Sequence, residues 1–223
     1  MNHSALTFPF LRLRNAVHSL APGASETVES VRQTLQFRKA IKTKGFQLPL
    51  PAFVKRAILK RNLLDYGMQT LVETGTQYGD TPWLFRQELQ EIWSIELSPQ
   101  LAQLARRRFQ SFPHIHIIQG DSALRLPEVI PNLKTPTLFW LDGHYSSGIT
   151  ARGPLDCPIY AELQAIFSDC KQRWVVLIDD ARAFGTERDY PALEDLQNFV
   201  RSARPNVHFT VENDMISIVP RAA

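Results

Sequence analysis

Cysteine is scarce in this chain, and long apolar runs, internal repeats and low-complexity tracts are missing. Two cysteines, Cys157 and Cys170, are too few for a multi-bridge disulfide framework or a four-thiolate zinc site, so both are expected to be reduced and structural. No apolar stretch approaches the roughly 18 residues that span a bilayer. The opening MNHSALTFPFLRLRNAVHSL breaks its apolar residues with Arg12 and Arg14. It therefore lacks the h-region of a signal peptide, and a cytoplasmic location is expected. No zinc-finger spacing or aromatic-interleaved RNA motif is found, which argues against a dedicated nucleic-acid module. The dinucleotide fingerprint GxGxxG is also missing.

What remains is an ordinary globular composition over 223 residues, 44% hydrophobic and 21% charged, which fits one α/β domain. The net charge of +3 conceals an asymmetry. Residues 1–61 carry 11 Lys/Arg against Glu26 and Glu29, a net of +9, and the remainder carries a net of −6. Two regions with different surfaces are expected: a basic N-terminal helical arm over 1–48, with weak helices at 10–20 and 25–41, and an α/β domain over 49–223. The arm would suit a solvated appendage, an anionic substrate or a membrane surface. The punctuation LPLP, Leu48 to Pro51, precedes a helix in FVKRAILKRNLL.

From residue 70 short apolar runs alternate with helical patterns. TLVETG, EIWSIE, IHIIQG, TLFWLD and WVVLIDD read as strands. DTPWLFRQELQ, SPQLAQLARRRFQS, DSALRLPEVI, CPIYAELQAIFSDC and PALEDLQNFVRSA read as the helices between them, with Ser98 as an N-cap ahead of Pro99. That alternation predicts a parallel, doubly wound sheet covered on both faces. VHFTVE and MISIVP, joined at Asn213-Asp214 with no helix between, predict a C-terminal antiparallel hairpin and seven strands in all.

Ligands in such a sheet lie beyond the carboxyl ends of the strands. Those ends carry Glu73-Thr-Gly75-Thr-Gln-Tyr-Gly79, then Glu96, Gly120-Asp121-Ser122, Asp142-Gly-His144 and Asp179-Asp180. Gly75 and Gly79 permit a sharp turn and close approach of a ligand. Glu96, about 20 residues on, suits two ribose hydroxyls, and Asp121 suits an exocyclic amine, so one adenosine across three strands accounts for all of them. Asp142, Asp179 and Asp180 should converge at neighbouring strand ends. Mutual repulsion would then favour a hard cation such as Mg²⁺ over zinc.

ETGTQYG, IELS, QGDS and the closing hairpin resemble the class I S-adenosylmethionine-dependent methyltransferase superfamily over residues 65–223. The resemblance implies a Rossmann-like fold and S-adenosylmethionine as cofactor, with Glu73 and Gly75 beside its methionine part, Glu96 on the ribose, and Asp121 with Ser122 on the adenine. The acidic pattern is similar to metal-dependent, macrocin-type sugar O-methyltransferases. That likeness implies Mg²⁺ on Asp142, Asp179 and Asp180, His144 as base, and a hydroxylated small molecule or sugar as acceptor. The loop Gly143–Pro158 offers Tyr145, Ser146, Ser147, Thr150 and Arg152 to that acceptor. Plainer roles stay open: Asp180 as a turn cap, Asp142 bonded to its own loop amides, and His144 satisfied by a carbonyl. So do two other functions, a non-catalytic adenosine-ligand binding protein and a metal-dependent hydrolase.

Overall fold

In the computed structural model, residues 48–143, 153 and 155–221 are described. The chain divides into two compact units, Met1–Phe53 and Val54–Ala223. The expected arm helices lie outside the described residues, as do His144, Tyr145, Ser146, Ser147, Thr150 and Arg152.

The second unit follows the alternation of its sequence. The described elements are α1 (Ala52–Asp65), which begins two residues before this unit, β1 (Thr70–Thr74), α2 (Asp80–Phe85), β2 (Glu91–Glu96), α3 (Pro99–Arg108) and β3 (Ile115–Gln119). They continue as α4 (Ser122–Val129), β4 (Thr137–Leu141), α5 (Ile159–Asp169), β5 (Trp174–Ile178), α6 (Leu193–Ala203), β6 (Val207–Glu212) and β7 (Met215–Pro220). The seven strands form one sheet in the order β3-β2-β1-β4-β5-β7-β6. β1 through β5 run parallel, whereas β7 is antiparallel to both β5 and β6.

Every residue of β1, β4 and β5 is buried, as expected of central parallel strands covered by helices on both faces. Alternate residues therefore feed two cores. Val72, Ile95, Phe139, Leu141, Val176 and Ile178 pack with α4, α5 and α6, through Leu126, Leu163, Ile166, Leu196 and Val200. Leu71, Ile92, Leu138, Trp140, Val175 and Leu177 pack with α1, α2 and α3, through Leu59, Leu63, Phe85, Ala102 and Ala105. Period two along each strand and 3.6 along each helix make both layers possible.

Caps set the local boundaries. The Ser98 side chain accepts from the Leu101 amide at the start of α3, with Pro99 in its first turn. Asp121 does the same for α4, its Oδ1 accepting from the Ala123 amide at 2.9 Å. α2 is shorter than its pattern suggested and ends at Phe85. The guanidinium groups of Arg86 and Arg108 lie over the Trp83 ring near that end, 4.0 and 4.9 Å from its centre. Among the described residues no helix is long and apolar enough to cross a membrane.

Candidate functional site

The strand order reverses between β1 and β4, so the crevice that receives ligands in such sheets opens at their carboxyl ends. β1 and β4 are stitched together there. The Asp142 amide donates to the Thr74 carbonyl at 3.2 Å, and the Gly143 amide to Thr74 Oγ1 at 3.1 Å. Gly75 has φ +86, and a Cβ on it would lie 2.5 Å from the Asp142 carbonyl oxygen, so the backbones of the two loops approach too closely there for a side chain.

The loop after β1 is held from the next strand. Its Gln77 adopts φ 49 and Gly79 φ 72. The Gln77 amide donates to Glu96 Oε2 at 2.7 Å, and the Ser98 amide to Glu96 Oε1 at 2.9 Å. Each Glu96 oxygen keeps a second lone pair for a hydroxyl. Asp121 sits at the head of the adjacent strand end with Oδ1 engaged in its cap, and Ser122 beside it is buried. Glu96 thus braces the loops after β1 and β2 and Asp121 caps α4, and both carboxylates retain acceptor capacity.

Glu73 lies beneath this row, 2% exposed. Ser94 Oγ donates to its Oε2 at 2.6 Å, and Thr76 Oγ1 lies 2.7 Å from Ser94 Oγ. Burial pushes the Glu73 carboxyl up to about 8, against the opposing hydrogen bonds of Ser94 and Thr81. A neutral carboxyl at this depth is the form that avoids the cost of burying a charge.

The aspartates of β4 and β5 do converge. Asp142, Asp179 and Asp180 each present one oxygen within 4.8 Å of the others. Asp179 is fully buried, and its Oδ1 has no hydrogen-bond partner. Desolvation and the Asp179 charge raise the Asp142 carboxyl well above its ordinary range. Asp180 adopts the left-handed conformation, φ 56 and ψ 44, at the turn Ala181–Ala183. The tip of the β6–β7 hairpin fixes that turn. The Ala181 amide donates to the Asp214 carbonyl at 2.9 Å, the Arg182 amide to Asp214 Oδ1 at 2.9 Å, and the Arg182 guanidinium bridges Asp214 and Asp180.

Two participants escaped sequence reasoning. Lys55, in the first turn of α1, ion-pairs with Asp179 and reaches Asp180 Oδ1 at 3.5 Å. Burial pulls its pKa down, but Asp179, Asp142 and Asp180 outweigh that and leave it raised. In sequence it is one more cation in a basic helix. Glu162 of α5 is fully buried. Burial pushes its carboxyl up to about 7, the hydroxyls of Ser122 and Thr74 are its polar neighbours, and neither oxygen completes a hydrogen bond. The only sequence signal for Glu162 is a charge on the apolar face of an amphipathic helix.

No family model and no curated protein matches the chain. Solved structures do. An O-methyltransferase from Bacillus cereus, bound to S-adenosylhomocysteine, aligns with a TM-score of 0.56 at 16% identity, over 93% of this chain and 97% of its own. A methyltransferase from Podospora anserina, also bound to S-adenosylhomocysteine, aligns with a TM-score of 0.55 at 13% identity, over 100% of this chain and 99% of its own. A protein from Corynebacterium glutamicum aligns at 0.58 with 14% identity, over 96% and 98%. The fold is that of the class I methyltransferases. Within the methyltransferase fold, the seven strands and the closing antiparallel hairpin agree with the sequence-based expectation. The Glu73, Glu96 and Asp121 row lies on the β1–β3 side of the switch point, and the aspartate cluster lies on the β4–β5 side.

Proposed function

We propose that the protein is a cytoplasmic S-adenosylmethionine-dependent methyltransferase that transfers a methyl group to an oxygen of a polar, hydroxylated acceptor. The observation that carries this reading is the order of polar groups across the switch point. Glu73, Glu96 and Asp121 end three adjoining parallel strands, and three aspartates end the next two. Glu96 and Asp121 keep acceptor lone pairs for ribose hydroxyls and the adenine amine after their internal bonds are made. Gly75 and Gly79 present no side chain at the two ends of the loop after β1, and Ser122 completes the adenine end. Bound there, S-adenosylmethionine would supply an electrophilic methyl group.

The chain's own residues would orient the acceptor opposite that methyl. Alignment of two bound reactants supplies much of the acceleration available to such a transfer. The donor set of Asp142, Asp179 and Asp180 is all oxygen and includes an unpartnered buried atom, Asp179 Oδ1, which fits Mg²⁺ or Mn²⁺. A cation held there would lower the pKa of an acceptor hydroxyl. His144, two positions beyond Asp142, would receive the proton, its ordinary pKa of about 6.5 suiting that step. The basic arm would draw an anionic acceptor or surface toward the site.

Calorimetric titration of S-adenosylhomocysteine into the full chain, wild type and Glu96→Ala, tests the cofactor assignment. Micromolar binding that weakens at least tenfold in Glu96→Ala is expected, and no binding to wild type would sink the reading. Asp142→Asn should then keep the ligand and lose methyl transfer to hydroxylated acceptors.

A further inference from the structure

The acidic cluster already contains a cation of its own. Lys55 reaches it from α1, an element that supplies none of the three aspartates, and pairs with Asp179 and Asp180. Its side chain is 18% exposed, whereas that of Asp179 is 1% exposed. The ammonium thus engages Asp179 through Oδ2, and the buried Asp179 Oδ1 has no partner.

We propose that Lys55 is a tethered counter-cation, and that a divalent ion enters the cluster only by displacing its ammonium group. This inference rests on the reading that Asp142, Asp179 and Asp180 take such an ion. An octahedral ion needs carboxylate oxygens at about 2.0–2.1 Å. The ammonium holds Asp179 Oδ2 and reaches Asp180 Oδ1, so an ion on Asp179 Oδ1 and the neighbouring aspartates would share two carboxylates with it, and two cations cannot do so without strong repulsion at that range. The lysine stem is a flexible four-carbon chain and the side chain is partly exposed, so it can turn outward when displaced. Compensation by Lys55, with Arg182 also on Asp180, lets three carboxylates stand together, and the ammonium on Asp179 weakens metal binding. Lys55 thereby sets the cation concentration at which the site loads.

The test is Mn²⁺ titration of the full chain, free Mn²⁺ being read by electron paramagnetic resonance, with wild type, Lys55→Met and Lys55→Arg compared. Lys55→Met, which keeps the stem and loses the charge, should bind Mn²⁺ at least tenfold more tightly, and Lys55→Arg no more tightly than wild type. Equal or weaker binding by Lys55→Met overturns the proposal and leaves the cation site standing. No Mn²⁺ binding by any of the three, with S-adenosylhomocysteine still bound, overturns both. A second measurement needs no variant and so covers the case in which Lys55→Met fails to fold. Acylation of Lys55 in wild type, followed by mass spectrometry, should rise several-fold on adding Mn²⁺. Unchanged labelling at Mn²⁺ concentrations that saturate the protein also overturns the proposal.

Discussion

Gly75→Ala is the substitution whose cost is best defined by the geometry. Gly75 has φ +86, and its new Cβ would meet the Asp142 carbonyl oxygen at 2.5 Å and the Asp142 carbonyl carbon at 3.0 Å. Both are backbone atoms, and the Asp142 amide is tied to the Thr74 carbonyl at 3.2 Å, so neither side retreats without breaking a strand-end bond. A left-handed conformation costs an L-residue about 1–2 kcal/mol. Forcing a methyl group into a packed contact adds about 1–3 kcal/mol. The expected loss is therefore about 2–5 kcal/mol. Gly67→Ala is the matched control, because Gly67 has φ +62 but the nearest atom to its Cβ, on Arg173, is 4.0 Å away. It should lose only the conformational part, about 1–2 kcal/mol. Urea unfolding followed by tryptophan fluorescence measures both. Equal losses would refute the claim that backbone contact between the β1 and β4 loops is what excludes a side chain at Gly75. Gly75→Ala should also weaken S-adenosylhomocysteine binding, and Gly67→Ala should not.

Other outcomes follow from single residues. Burial raises the Glu73 carboxyl to about 8, so the folded state keeps a proton that the unfolded chain releases near its ordinary value of 4.5. Stability from that proton is present below pH 4.5 and is lost as pH rises toward 8, at a slope of at most about 1.4 kcal/mol per pH unit. Unfolding at pH 5 and pH 8 should show a smaller fall for Glu73→Gln than for wild type, and identical falls would contradict the assignment. Glu162→Gln should flatten the same curve over a narrower window, from 4.5 to about 7. Asp214→Ala removes the partner of the Arg182 amide and guanidinium and should cost about 1–3 kcal/mol. A thermal midpoint unchanged from wild type would remove the hairpin tip from the support of Asp180.

The sheet was legible because each strand is a short apolar run bounded by turn residues, and Asn213-Asp214 marks a reversal that no helix interrupts. The site was legible only in its acidic half. Glu73, Glu96, Asp121, Asp142, Asp179 and Asp180 follow strands, so their place at one edge of the sheet follows from topology. Lys55 had no such marker. It lies in a helix with Arg56, Lys60 and Arg61, and only the three-dimensional approach of α1 to the β5 end distinguishes it from them. Glu162 was hidden for the opposite reason. An amphipathic pattern tolerates one charge on its apolar face, and nothing local tells whether that charge is buried or turned outward.

The place of β7 bears on how the protein assembles. It is the last strand in chain order, yet it lies inside the sheet, between β5 and β6. Until it docks, β5 is an edge, and the turn carrying Asp180 lacks Asp214, its anchor. Domains form in step with synthesis from the N-terminal side. The β1–β3 half can therefore consolidate early, whereas the acidic half is completed by residues near 214–220. A nascent or C-terminally truncated chain would accordingly acquire the geometry of the Glu96 and Asp121 strand ends before that of the Asp179–Asp180 turn.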